Sequence, residues 1–128
     1  MHISALTLVV PDYDAALAFY VGALGFELLA DVDQGGGKRW VTVAPKGGQC
    51  ALLLARAVDA PQRAAIGNQT GGRVFLFLHS DDFAADHARM QAAGIAFLEV
   101  PREEPYGTVA VFRDPFGNRW DLLQRNAD

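Results

Sequence analysis

The second half of this sequence repeats the order of the first, and that repetition constrains the fold more than any other feature. In the first half an apolar run, Leu6 to Val10, leads into Asp12, a helical stretch, Gly25 and a further apolar strand. In the second, Val74 to Leu78 leads into Asp81-Asp82, a helical stretch, Gly94 and Ile95-Ala96-Phe97-Leu98. One supersecondary unit used twice calls for a fold in which like modules meet, with equivalent positions of each half supplying the walls of a pocket. The second half closes on Asp114-Pro115-Phe116-Gly117-Asn118-Arg119-Trp120-Asp121.

With 128 residues, 51% of them hydrophobic, the chain suits a single domain that buries a core without disulfides. Its one cysteine, Cys50, has no intramolecular partner, which fits a reducing cytoplasm. No run approaches the ~20 apolar residues of a membrane span, and the first residues carry no basic segment followed by an apolar signal core. A soluble cytoplasmic protein with no membrane partner is expected. The formal net charge is −4 and the arginines are scattered, so the electrostatic footprint of a nucleic-acid binder is missing.

Periodicity and breakers give the element order. Ile3 to Val10 reads as a strand, ended by Pro11-Asp12, which opens a helix with apolar positions Leu17, Tyr20 and Leu24. Gly25 suits the residue past the last turn, where positive φ is common. Phe26 to Val32, Lys38 to Ala44 and Cys50 to Ala55 follow as strands, separated by Gln34-Gly35-Gly36-Gly37 and by a Pro45 to Gly48 turn. Arg56 to Gly72 reads as a connection with a helical turn around Gln62 to Ile66. The second module repeats the order: strand Arg73 to His79, helix Asp82 to Ala93, then strands Ile95 to Val100, Thr108 to Arg113 and Asn118 to Gln124. The expected organisation is one domain over 1–128, with module 1 at about 1–55, a linker at 56–72 and module 2 at about 73–128. Tyr13 aligns with Phe83 at a shift of seventy, whereas Gly25 aligns with Gly94 at sixty-nine. The second helix is therefore expected to be one residue shorter.

The run from Val10 to Tyr20, then Leu24-Gly25-Phe26, then Phe112-Arg113-Asp114-Pro115-Phe116-Gly117-Asn118 resembles the vicinal oxygen chelate superfamily, which includes glyoxalase I, extradiol dioxygenases, fosfomycin-resistance transferases and bleomycin-resistance proteins. The resemblance covers nearly the whole chain. It implies an α+β fold of two βαβββ modules whose eight strands form a cup-shaped half-barrel, in a homodimer. One fold of this kind hosts many chemistries.

The resemblance also implies where a metal would sit: one side chain from the first and one from the last strand of each module. Counting seven back from Asp12 reaches Ala5, and from Asp82 reaches Phe75; the last-strand positions fall on Asp121 and, sixty-nine residues earlier, Leu52. Ala, Phe and Leu have no lone pair to offer. A catalytic zinc takes three protein ligands, and magnesium or manganese takes several oxygens. The expectation is no metal cofactor, with a divalent metal held in a non-standard way by Asp121 and His79 as the alternative.

Strand alternation names the pocket candidates. Thr7 shares a face with Ala5, Phe75 with Phe77 and His79, and Asp121 with Arg119 and Leu123. Trp40 and Arg39 point to opposite faces, and Trp40, the larger apolar side chain, is assigned to the pocket. Pro101 to Gly107 reads as a rim loop from which Tyr106 and Arg102 can close over a ligand. Which of Arg39, Arg102 and Arg113 faces the pocket is open at this point. Asp121 reads either as a hydrogen-bond acceptor or general base, or as the ion-pair partner of Arg113 or Arg119. Trp120 is expected on the outer, helix-covered face, and His87 as a packed histidine.

Three functions are compatible with these residues. The first is a metal-free, bleomycin-resistance-like protein that binds a drug or metabolite through Thr7, Trp40, Phe75, Phe77, His79, Tyr106 and Asp121. The second is a metal-dependent glyoxalase-like lyase, isomerase or dioxygenase. The third is a metal-free enzyme using Asp121 as its catalytic base.

Overall fold

The computed structural model describes residues 1–127. The chain divides into two compact units, one up to Ile66 and one from Gly67 onward. Unit 1 runs β1 (Ala5–Val10), α1 (Tyr13–Leu17) continuing as a π-helical turn (Ala18–Ala23), β2 (Glu27–Asp33), β3 (Arg39–Ala44), β4 (Ala51–Arg56) and α2 (Ala60–Ala65). Its sheet has the order β1-β4-β3-β2, with β1 parallel to β4 and the other pairs antiparallel. Unit 2 runs β5 (Leu76–His79), α3 (Phe83–Ala92), β6 (Ala96–Phe97), β7 (Arg102–Glu104), β8 (Gly107–Arg113) and β9 (Arg119–Arg125). Its sheet has the order β5-β9-β8-β6, with β7 also pairing with β8.

The modules start alike because the same capping chemistry opens both long helices. The Asp12 carboxylate accepts from the Ala15 amide at 2.7 Å, and that of Asp82 from the Ala85 amide at 3.2 Å. Each satisfies an N–H that the first turn leaves unpaired. The helices end alike too, at Gly25 (φ 87°) and Gly94 (φ 83°). The extra residue of the first helix is absorbed by widening rather than lengthening. Ala18–Ala23 is π-helical, with the Leu24 amide donating to the Phe19 carbonyl at 2.8 Å.

In unit 1 the buried side chains Leu8, Val10, Val41, Val43, Leu52 and Leu54 share the sheet face that register assigns to them, and Tyr13, Ala16, Phe19, Tyr20 and Leu24 are buried from the helix. Unit 2 buries an aromatic column on its helix-covered face. His87 stacks on Phe83 (5.5 Å between centroids) and meets Phe97 (4.3 Å), which touches Phe112, which stacks on Trp120 at 5.8 Å. Trp120 and His87 are thus placed as the sequence predicts. Full burial of side chains this size contributes roughly 1.5–3 kcal/mol each.

Two expectations are corrected. The strand Ile95 to Val100 and the rim loop Pro101 to Gly107 are instead two short strands, β6 and β7, both on β8, so the described residues hold nine strands rather than eight. The Leu98 amide still donates to the Val111 carbonyl, but the return bond from the Val111 amide goes to the Glu99 side chain at 3.0 Å. A side chain has taken the place of a ladder carbonyl, and Pro101 has no N–H with which to resume the ladder. Arg73 to Phe75 also stays outside β5: Gly71 and Gly72 have positive φ, and the Thr70 hydroxyl donates to the Arg73 carbonyl.

The Asp114 to Asn118 motif is the β8–β9 turn. One Asp114 carboxylate oxygen accepts from the amides of Phe116 and Asn118, both at 2.9 Å, the other from the Asn118 side-chain amide at 2.7 Å. Asp114 is 2% exposed, so its role is to hold this turn.

Candidate functional site

Each sheet has a face turned away from its helices. In unit 1, register brings Thr7, Leu53 and Thr42 abreast across β1, β4 and β3, with Trp40 two residues from Thr42 on the same face. In unit 2 the corresponding row is Phe77, Asp121 and Val111 across β5, β9 and β8. Phe75 precedes β5, its amide bonded to the Arg119 carbonyl at 2.7 Å, and His79 ends that strand. Thr7, Trp40, Phe77 and His79 are exposed and Phe75 is half-buried. Phe77, on the edge strand β5, keeps 65% of its surface open, a large exposed apolar side chain.

Register shows which residues of the two units correspond at the metal-ligand positions that the resemblance implies. Asp121 lies opposite Phe77, and Leu53 lies opposite Thr7, the residue equivalent to Phe77. The counterpart of Asp121 is therefore Leu53, one residue from the expected Leu52, whose side chain is buried on the helix-covered face. A shift constant to one residue cannot survive the unequal turns between strands. The four positions are then Ala5, Leu53, Phe75 and Asp121, one oxygen donor among three hydrocarbons. This set does not fit a divalent cation, and among the described residues no cluster of three or more His, Cys, Asp or Glu forms elsewhere.

Asp121 is the chemically unusual group. The residue is 9% exposed, and its Oδ1 is buried without a hydrogen-bond partner among the described residues. Burial pushes its carboxyl above the ordinary aspartate value; the positive charge of Arg102 opposes this and the negative charge of Glu99 adds to it. The expected pairing with Arg113 or Arg119 does not form among the described residues, although both lie on the Asp121 face. Arg102 faces the same way through its register with Val109, but it is committed elsewhere. It bonds Glu99 at 3.0 and 3.2 Å and Glu104 at 2.5 Å. Tyr106 sits in the β7–β8 turn at the far end of β9, where its carbonyl accepts from the Asn126 amide and its ring is half-exposed.

Arg39 lies on the helix-covered face of unit 1, opposite Trp40. It forms salt bridges to Asp14 at 2.9 Å and Asp31 at 2.7 Å, while its amide donates to the Tyr13 hydroxyl at 3.1 Å. Sequence reasoning missed this network and the Arg102 one, because each joins residues from separate elements; only the spacing of Arg102 from Glu99 and Glu104 offered a local signal.

A family model for the Glyoxalase/Bleomycin resistance protein/Dioxygenase superfamily matches residues 2–122. An uncharacterized protein of Shewanella frigidimarina is 56% identical over 123 residues, 94% of this chain and 91% of its own length. Among solved structures, UcmS2 superposes with a TM-score of 0.84 at 33% identity, covering 96% of this chain and 97% of the other. TnmS3, an antibiotic binding protein from Streptomyces sp. CB03234, gives 0.78 at 36% identity, covering 98% and 97%.

Proposed function

Because this chain belongs to the Glyoxalase/Bleomycin resistance protein/Dioxygenase superfamily, we propose that it binds a small organic molecule, a drug or a metabolite, without a catalytic metal. The observation that carries this reading is the row Phe77, Asp121 and Val111, an open aromatic surface beside a single buried carboxyl, where the resemblance implies a metal set. Apolar area gives affinity and a few fixed polar groups give orientation. On unit 2, Phe75 and Phe77 supply the first, and His79, Tyr106 and Asp121 the second; on unit 1, Trp40 and Thr7 supply them on the equivalent face. The similarity to an antibiotic binding protein supports the same reading. The protein works as a cytoplasmic homodimer, and exposed apolar side chains outside the ligand face, Leu29 and Val32 among them, support the pairing.

Thermal-shift and calorimetric titration with bleomycin and a panel of aromatic antibiotics tests this, alongside elemental analysis before and after chelator. Saturable binding at far less than one metal per chain is expected, and Asp121→Asn should weaken it about tenfold. Stoichiometric, chelatable metal required for binding would overturn the reading.

The orphaned oxygen of Asp121 favours a second reading, in which the same face turns its ligand over with Asp121 moving a proton. Mass change of the bound molecule, abolished in Asp121→Asn, distinguishes it from binding alone.

A further inference from the structure

Unit 1 contains a cavity of about 480 Å³ at the ends of β3 and β4, bounded by the β2–β3 turn and α2. None of its lining residues is acidic, although the chain as a whole is anionic. Its walls include Tyr13, Trp40, Lys38, Arg39, Arg56 and Gln62. The two guanidinium groups differ in one decisive respect. Arg39 and Arg56 stand over the same Tyr13 ring, at 5.1 and 5.7 Å from its centroid. Arg39 is neutralised by two carboxylates, and Arg56 has no ion-pair partner among the described residues.

Arg56 is nevertheless held in place. Besides the Tyr13 ring, its guanidinium lies against Gly37, where a Cβ would come within 3.2 Å of Nη2. A fixed guanidinium loses little entropy on binding a planar anion and offers it a two-pronged bond. Gln62 adds a second donor: its side-chain oxygen is already used by the Val58 amide at 2.9 Å, which leaves its NH₂ unengaged among the described residues. Trp40, 43% exposed, supplies a flat apolar wall.

We propose that this cavity binds an organic anion with a flat apolar body, its carboxylate on Arg56 and Gln62 and its body against Trp40. The proposal rests on the binding function above and names the chemical class that this part of the protein selects. The probe is 2-naphthoate, with 2-naphthamide as its neutral isostere, followed by NMR at the Trp40 indole N–H and the Arg56 Nε–H. Naphthoate should shift both signals and bind about tenfold more tightly than the amide. Arg56→Met should abolish that preference while the ligand-free protein still unfolds cooperatively with only the small loss due to the Tyr13 contact, and Arg56→Lys should restore part of the preference. Equal affinity for acid and amide, an unchanged preference in Arg56→Met, or shifts confined to unit 2 would overturn the proposal. So would failure of naphthoate to bind, and if bleomycin and the aromatic antibiotics still bound, the broader function would survive. Failure of every compound would remove both.

Discussion

Asp31 in unit 1 and Asp121 in unit 2 are carboxylates on opposite kinds of sheet face, and they titrate in opposite directions. Asp31 takes two hydrogen bonds from Arg39, at 3.1 and 2.7 Å, and these hold its carboxyl below the ordinary value. Asp121 has an arginine on its own face, but Glu99 and Glu104 have already claimed it, and burial pushes its carboxyl up. Each unit places one arginine between two acids, and a charged residue of interest beside that group differs in sign: Arg56 beside Arg39 in unit 1 and Asp121 near Arg102 in unit 2. A duplicated module can keep its backbone plan while its halves come to favour different ligand groups.

The backbone itself is less forgiving in unit 2, and the largest predicted effect tests that. A Cβ on Gly107 would collide with the Gln124 carbonyl oxygen at φ +153°, whereas Gly35 and Gly36 of unit 1 have open space around that position. Gly107→Ala should cost roughly 3 kcal/mol or more through collision and strain on the β8–β9 ladder. Gly36→Ala should cost about 1 kcal/mol through its positive φ alone. Urea unfolding of both variants measures the contrast, and equal losses would show that strand pairing relaxes at Gly107.

Next in size is Asp121. A raised folded-state pKa means that the folded protein binds this proton more tightly than the unfolded chain does. Stability therefore falls as pH rises from the ordinary aspartate value through the raised one. The penalty is greatest above the raised value, and there Asp121→Asn should be about 1 kcal/mol more stable than wild type. That advantage should shrink on acidification. Asp31 has the opposite sign: its contribution is present above the ordinary value and is lost as pH falls through the depressed one. Asp31→Asn should therefore differ most from wild type at neutral pH, as the less stable protein. Unfolding midpoints from pH 3 to 7 check both signs, and parallel curves for the two variants would refute the contrast.

How far these features could be read beforehand depended on how local they were. Asp12 and Asp82 as caps, Gly25 and Gly94 as helix ends, and the extra residue of the first helix are settled within a turn or two of chain, and all were legible. The β6–β7 break was not, because a Glu99 carboxylate replacing a ladder carbonyl looks like any other acid in sequence. Register was legible only to within one residue, enough to place Asp121 but not to choose Leu53 over Leu52. Asp121 stood out through the metal-ligand position that the resemblance implies, and Phe77 through strand alternation with Phe75 and His79. Arg56 did not, since its significance lies in Arg39 taking both nearby acids, a matter of three-dimensional competition.

The smallest effects should come from breaking the arginine networks. Arg39 is partly exposed, and its partner Asp14 is 78% exposed, so water already screens much of the attraction. Arg39→Met should give a slight loss of stability that disappears in about 0.5 M salt, where the Debye length has fallen well below its physiological value of ~8 Å. Arg102→Met should give a larger one, because it leaves Glu99 unpaired near buried Asp121 and removes the positive charge that lowers its pKa. It should also push the Asp121 carboxyl higher still, steepening the decline of stability toward neutral pH. Measuring both variants in low and high salt separates the cases. If Arg39→Met proved the more damaging of the two, the Tyr13 stack would be the element holding that corner together, and the arrest of Arg56 beside it would have to be credited to Arg39.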